Sequence, residues 1–191
     1  MKKIVLFIIS GVIFASFCIS AYAYDLRTVS GITADELRPY MHKDVKFLAE
    51  DVVRICNENG ISAEFIATLM RWERRMDINN FFGWTRSNGK LMRFDSAVEC
   101  LEKIIPLIKK NYLTEGGRCF NGYTVEAVSR YYNNTDYWRE KISEGTMKIV
   151  NGEKSRKSEQ KKNLEEQNEK RIKMEYLRWG RMLSEKYVLS V

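Results

Sequence analysis

Residues 65–84 read "FIATLMRWERRMDINNFFGW". Phe65, Ile66, Leu69, Met70 and Trp72 recur at helical spacing and mark one apolar face. Glu73 falls on that same face, four residues after Leu69 and seven after Ile66. Burial penalises a carboxylate, so an acid at a core position of a helix needs a reason. Apolar neighbours disfavour the charged form, and so does the negative dipole end at a helix C-terminus. An acid placed there keeps a proton to give. The stretch therefore predicts a core helix, capped by Ser62 and running to about Arg75, with a proton donor near its C-terminus. Trp72, Phe81, Phe82 and Trp84 are available to exclude water around it. The competing reading is a surface acid paired with Arg71, Arg74 or Arg75, which would stabilise its charged form.

Working outward, the flanking segments are also helical. Thr33-Ala-Asp-Glu36 is a capping box, and apolar residues from Leu37 to Cys56 keep helical period, predicting a helix over about 34–57. Gly60 suits the left-handed residue that ends it. Tyr24 to Ile32 reads as an extended lead-in. Downstream, Asn88-Gly89 between Phe81–Ser87 and Lys90–Phe94 is a hairpin signal and predicts a small β ribbon. Ser96-x-x-Glu99 opens a helix to about Tyr112, with Pro106 as a kink point. Thr114 to Tyr123 is loop. Thr124 caps a short helix to about Tyr132, and another starts at Asp136 with Trp138, Ile142 and Met147 on it. The expected fold class is mainly α with a small β-hairpin lobe and a charged C-terminal helix.

Three regions follow. Residues 1–23 carry Lys2 and Lys3, an apolar run, and Ala21-Tyr22-Ala23, the organisation of an export signal cleaved near Ala23. Residues 24–150 hold the patterned helices. Residues 151–191 carry eleven Lys/Arg and seven Glu, with a weak apolar stripe at Met174, Leu177, Met182 and Leu183, and read as a charged helical tail. The chain has 191 residues and a net charge of +7, which becomes +5 without Lys2 and Lys3. An exported basic protein suits anionic cell-wall surfaces, and export disfavours nucleic acid as a partner. Localisation is expected to be secreted, periplasmic or wall-associated. Cys56, Cys100 and Cys119 are widely spaced and His42 is the only histidine, so no metal-ligand pattern appears and no metal or cofactor is expected. One disulfide is permitted, with the pairing open. No phosphate-binding glycine loop and no Ser/His/Asp set is present.

Taken in order, Glu73, Asn79-Asn80-Phe81-Phe82-Gly83-Trp84, Phe94-Asp95-Ser96, Phe120-Asn121-Gly122-Tyr123-Thr124, Tyr132 and Trp138 form a series. That series resembles the glucosaminidase family of bacterial peptidoglycan hydrolases, of mannosyl-glycoprotein endo-β-N-acetylglucosaminidase type, within the lysozyme-like superfamily. The similarity runs over roughly residues 33–148. It implies a lysozyme-like domain and cleavage of the β-1,4 glycan backbone of peptidoglycan, with Glu73 as general acid. It implies Tyr132 beside the acid, and Asn79, Asn80, Phe82, Gly83, Trp84 and Trp138 holding the glycan. Tyr132-Asn133 also resembles the Tyr-Asn pair of lytic transglycosylases, and Tyr131 competes for the role, so transglycosylase and muramidase chemistry stay open. Two departures matter. Arg74-Arg75-Met76-Asp77 replaces the family's usual Ser-Gly-Trp-Gly, and residues 81–94 hold no carboxylate. Candidates for a second acid are Asp77, Asp95, Glu115 and Asp136. The alternative is a non-catalytic glycan-binding or scaffold protein on the same fold. Oligomeric state is not legible.

Overall fold

The computed structural model describes residues 24–188, with side chains as far as Trp179, so the export-signal reading of residues 1–23 lies outside the described residues. The chain divides into two units, the first ending at Val150 and the second beginning at Asn151.

The first unit is mainly α-helical. Helix α1 (Ala34–Leu37) opens on the Thr33–Glu36 capping box, with both reciprocal hydrogen bonds made. The single helix expected over 34–57 is instead broken. Short 3₁₀ turns occupy Arg38–Tyr40 and Lys43–Leu48, and only Ala49–Asn59 is α2. Pro39 sits in the first turn, where its missing N–H cannot extend the α-helical ladder, and Met41 and His42 are extended. Gly60 ends α2 in the left-handed conformation with φ 59°.

Helix α3 (Ala63–Glu73) is the centre of the fold. Ser62 caps it by accepting from the Phe65 N–H at 3.1 Å. Every residue from Ala63 to Met70 is buried. A helix buried on all sides must be covered by its neighbours, and α1 and α2 pack on it while α2 also packs on α4 (Ala97–Tyr112). Phe65, Ile66, Leu69 and Met70 are all 0% exposed, and burial of such side chains stabilises by about 1.5–3 kcal/mol each. The lead-in strap ties down at Leu26, whose N–H donates to the Tyr123 carbonyl and whose carbonyl accepts from the Ser62 N–H, both at 2.8 Å.

Pro106 is accommodated inside α4, which is continuous. Ser96 caps it, but the reciprocal bond of the box goes one residue earlier, from the Asp95 N–H to Glu99 at 2.6 Å. Helix α5 (Val125–Tyr132) is capped by Thr124 as expected. Helix α6 runs Asp136–Val188, of which the part to Val150 belongs to the first unit. In the second unit Met174 and Leu177 are exposed, and ion pairs such as Lys157–Glu153 at 2.5 Å run along the helix. Met182 and Leu183 lie outside the residues whose side chains are described.

The hairpin lobe needs correction. Among the described residues there is no strand, and over 81–94 only one isolated bridge, Thr85 to Leu91. The turn closes, with the Arg86 N–H on the Lys90 carbonyl at 2.8 Å. The next ladder step forms only by half: the Met92 N–H donates to the Trp84 carbonyl at 2.9 Å, and the Asn80 side chain takes the place of the reciprocal bond. The Asn80 Nδ2 donates to the Met92 carbonyl at 2.9 Å and its Oδ1 accepts from the Trp84 N–H at 3.0 Å. Those are the two backbone groups that an antiparallel pair would join directly.

Among the described residues the three cysteines are free: Cys56 and Cys100 are buried and Cys119 is half-buried. Burial pushes the Cys56 thiol well up and that of Cys100 up to about 11, and it pushes the Tyr112 phenol up to about 12. Folding therefore holds protons that the unfolded chain releases above about pH 8.5. Their contribution is fully present below that pH and is lost as pH rises through the folded values. Cys100, raised from 9.0 to about 11, gives on the order of 2 kcal/mol of destabilisation by pH 11. Thermal melts at pH 8 and pH 11 are expected to show a clear fall in Tm, and equal melting would show that these groups titrate freely.

Candidate active site

Glu73 is the last residue of α3. The helix stops there because Arg74 turns to ψ 135° and Arg75 pairs with Asn80 in both directions, N–H to carbonyl at 2.6 and 3.0 Å. The Arg74 guanidinium folds back onto the Arg71 carbonyl, one of the open acceptors at the helix end. Neither Arg74 nor Arg75 forms an ion pair with Glu73, which is half-buried. Its Oε1 accepts a 2.6 Å hydrogen bond from the indole Nε1 of Trp138 on α6.

The loop after α3 brings a second wall to the acid. A 3₁₀ turn at Met76–Ile78 leads to Asn79 in the left-handed region with φ 51°, whose Nδ2 donates to the Phe94 carbonyl at 3.1 Å. Asn80 is 0% exposed and makes four bonds to backbone: Oδ1 accepts from Phe82 and Trp84, and Nδ2 donates to the carbonyls of Trp84 and Met92. Its amide is saturated. The result carries Gly83, at φ 60°, against the acid: a methyl group there would lie 3.0 Å from Glu73 Oε2. Only glycine combines that backbone conformation with that approach.

Tyr132, the last residue of α5, closes the arrangement. Its hydroxyl donates to the Phe82 carbonyl at 2.5 Å, and its ring stacks on Trp138 with centroids 5.4 Å apart. Tyr112 lies 5.6 Å and Trp84 6.4 Å from the same ring. Burial pushes the Tyr132 phenol well above its ordinary value, and the charge of Glu73 adds to the shift. The phenol stays neutral across the physiological range.

These rings floor an open cavity of about 680 Å³, walled by Gly83, Trp84, Tyr112, Tyr131, Tyr132 and the segments about Arg86 and Arg118. Glu73 is not itself a wall residue. It reaches the cavity edge through its contact with Gly83.

Of the residues singled out from sequence, the structure gathers Glu73, Phe82, Gly83, Trp84, Tyr132 and Trp138 in one place. Asn79 and Asn80 belong to the loop's internal bonding, and the Asn80 side chain has no polar atom left for a ligand. Phe82 is 1% exposed and meets the cavity from below, while Trp138 serves the acid rather than the wall. Trp72 does not shield Glu73; it lies on a second cavity, of about 350 Å³, beside Tyr40 and Lys148. The candidate second acids are elsewhere: Glu115 accepts from the Tyr123 hydroxyl at 2.7 Å, Asp136 pairs with Arg139 at 2.9 Å, and neither these nor Asp77 or Asp95 lines the cavity. Sequence reasoning missed Tyr112, which reads as the last core position of α4, and the two wall arginines. A scan of protein-family models and a search of curated proteins return no match to this chain.

Proposed function

We propose that the chain is a peptidoglycan hydrolase on a lysozyme-like fold, cleaving the β-1,4 glycan backbone as an endo-β-N-acetylglucosaminidase with Glu73 as general acid. The observation that supports it is the fixed carboxyl: Oε1 on the Trp138 indole at 2.6 Å, Oε2 against Gly83 at the rim of an aromatic cavity of about 680 Å³. An indole N–H only donates, so Oε1 is held as acceptor. The proton that a general acid must supply is then carried on Oε2, the oxygen facing the Gly83 edge. Glycoside cleavage requires a proton delivered to the leaving oxygen. Gly83, without a side chain, leaves that path open.

The cavity wall holds no carboxylate among the described residues. A second protein acid as nucleophile or base therefore has no candidate there. The reading assigns that part to the substrate's own N-acetyl group, with water held at Tyr132 as the next choice. The Tyr132 hydrogen is committed to Phe82, so its oxygen acts as an acceptor and the ring as a positioning element. The sequence of residues 1–23 and the basic charge support a place in or beyond the cell envelope.

The test is purified protein on cell-wall sacculi, read by mass spectrometry of released fragments. Fragments with a new reducing N-acetylglucosamine end support the assignment, anhydro ends convert it to lytic transglycosylase chemistry, and a reducing N-acetylmuramic end to a muramidase. The missing second carboxylate favours one other reading, a non-catalytic glycan binder, which predicts sacculus retention with nothing released. Gly83→Ala is expected to lower the cleavage rate at least tenfold while costing about 1–2 kcal/mol of stability from its positive φ. A variant with full activity would show that the Oε2 edge is not the proton path.

A further inference from the structure

The cavity has a charge pattern that proton donation does not use. Its charged wall residues are Arg86 and Arg118, both positive, with no acid among the lining. They come from separate segments. Arg86 stands on the tight turn closed by its own N–H to Lys90 and by the Gly89 N–H to its carbonyl at 2.9 Å. Arg118 stands on the loop after α4. That loop is pressed onto the helix end: the Gly117 N–H donates to Thr114 at 2.9 Å, the Cys119 N–H donates to Asn111 at 2.9 Å, and a methyl group at Gly117 would lie 2.4 Å from the Lys110 carbonyl. Both backbones are fixed, so both guanidinium groups are carried by rigid supports.

Among the described residues neither arginine has an ion pair, and neither side chain has a hydrogen bond. The acid nearest to Arg118 in sequence, Glu115, is taken by Tyr123. The Arg118 charge is felt at the floor, where it acts to lower the Tyr112 phenol against the larger effect of burial. The same cavity is lined by Asn111 and Ser87, which offer an amide and a hydroxyl. Guanidinium groups present planar forks of donors that match a carboxylate, and an aromatic floor suits a sugar face.

We propose that Arg86 and Arg118 select a glycan that bears a carboxylate, so that the cleft discriminates acidic wall sugars from neutral N-acetylglucosamine polymers. This rests on the reading of the cavity as a glycan cleft. The carboxylate can be the lactyl group of N-acetylmuramic acid or an acid on an attached peptide, and the chemistry recognised is the same.

The test is equilibrium binding, by calorimetry, to the full chain carrying Glu73→Gln so that turnover does not intrude. The probes are an N-acetylglucosamine–N-acetylmuramic acid disaccharide, the same disaccharide with its lactyl group as carboxamide, and the disaccharide with a peptide on that group. Expected are at least tenfold tighter binding of one or both acidic probes than of the carboxamide, a preference that falls with added salt, and loss of that preference in Arg86→Gln/Arg118→Gln, with acid affinity falling to about that of the carboxamide. The peptide-free and peptide-linked acids then tell which carboxylate is read. Equal binding of acid and amide, no binding of any probe, or a preference that survives in a double variant with wild-type melting overturns the proposal. The sacculus assay separates this from the hydrolase reading. Acid preference without wall cleavage keeps the arginine assignment and ends the hydrolase one; cleavage without acid preference does the reverse.

Discussion

Glu73→Gln is expected to reduce fragment release from sacculi by about 10²- to 10⁴-fold, the range that a positioned general acid supplies, with Tm essentially unchanged. The substitution preserves shape. The amide oxygen can keep the Trp138 indole bond that Oε1 now makes at 2.6 Å, and the NH₂ then takes the place of Oε2 beside Gly83. What disappears is the transferable proton. Because the carboxyl is fixed by one donor on α6 and one glycine on the loop, no neighbouring acid can take its place: Asp77 and Asp95 are exposed and line no part of the cavity. Release at the wild-type rate by the folded variant would remove Glu73 from the mechanism and with it the enzyme assignment.

Asn80→Ala is expected to lower stability by about 3 kcal/mol. The amide is fully buried and serves four backbone groups, the N–H groups of Phe82 and Trp84 and the carbonyls of Trp84 and Met92. Leaving a buried backbone group unpaired costs about 1–3 kcal/mol. Part of that is recoverable, since the Trp84 N–H and the Met92 carbonyl can meet directly once the amide is gone. The Phe82 N–H has no such substitute. For a domain of this size a loss of about 3 kcal/mol corresponds to a fall of roughly 6–12 °C in Tm. Thermal unfolding followed by circular dichroism measures it. A fall under about 2 °C, corresponding to less than ~1 kcal/mol, would show that the loop does not depend on this amide. Activity should fall with it, because the same four bonds carry Gly83 to the acid.

These two residues also show where sequence reasoning reaches and where it stops. Glu73 was legible, because helical period is local: its place on the apolar face of α3 follows from spacing to Ile66 and Leu69 alone. Asn80 stood out only as a polar residue in a turn, equally suited to a sugar or to its own backbone. Its commitment to Met92, twelve residues on, depended on how the 81–94 segment folds back. The hairpin signal at Asn88-Gly89 correctly placed a turn, and the Asn80 amide stands in for one of the two backbone bonds by which that turn would extend into a ribbon.

The sequence by itself determined that the domain is mainly α, that Thr33, Ser62, Ser96 and Thr124 begin helices, and that Glu73 lies near the end of one on the core side. Caps and periodicity are settled within a few residues, by hydrogen bonds that span one helical turn. Only the tertiary structure decided what holds the acid: the indole of Trp138, 65 residues away, rather than the adjacent Trp72, and the edge of Gly83 rather than Arg74 or Arg75. It also decided that Tyr112 and Tyr132 pack ring to ring and that Arg86 and Arg118 line one cavity. Such meetings are fixed by how helices pack and loops return, over distances at which no local spacing rule acts.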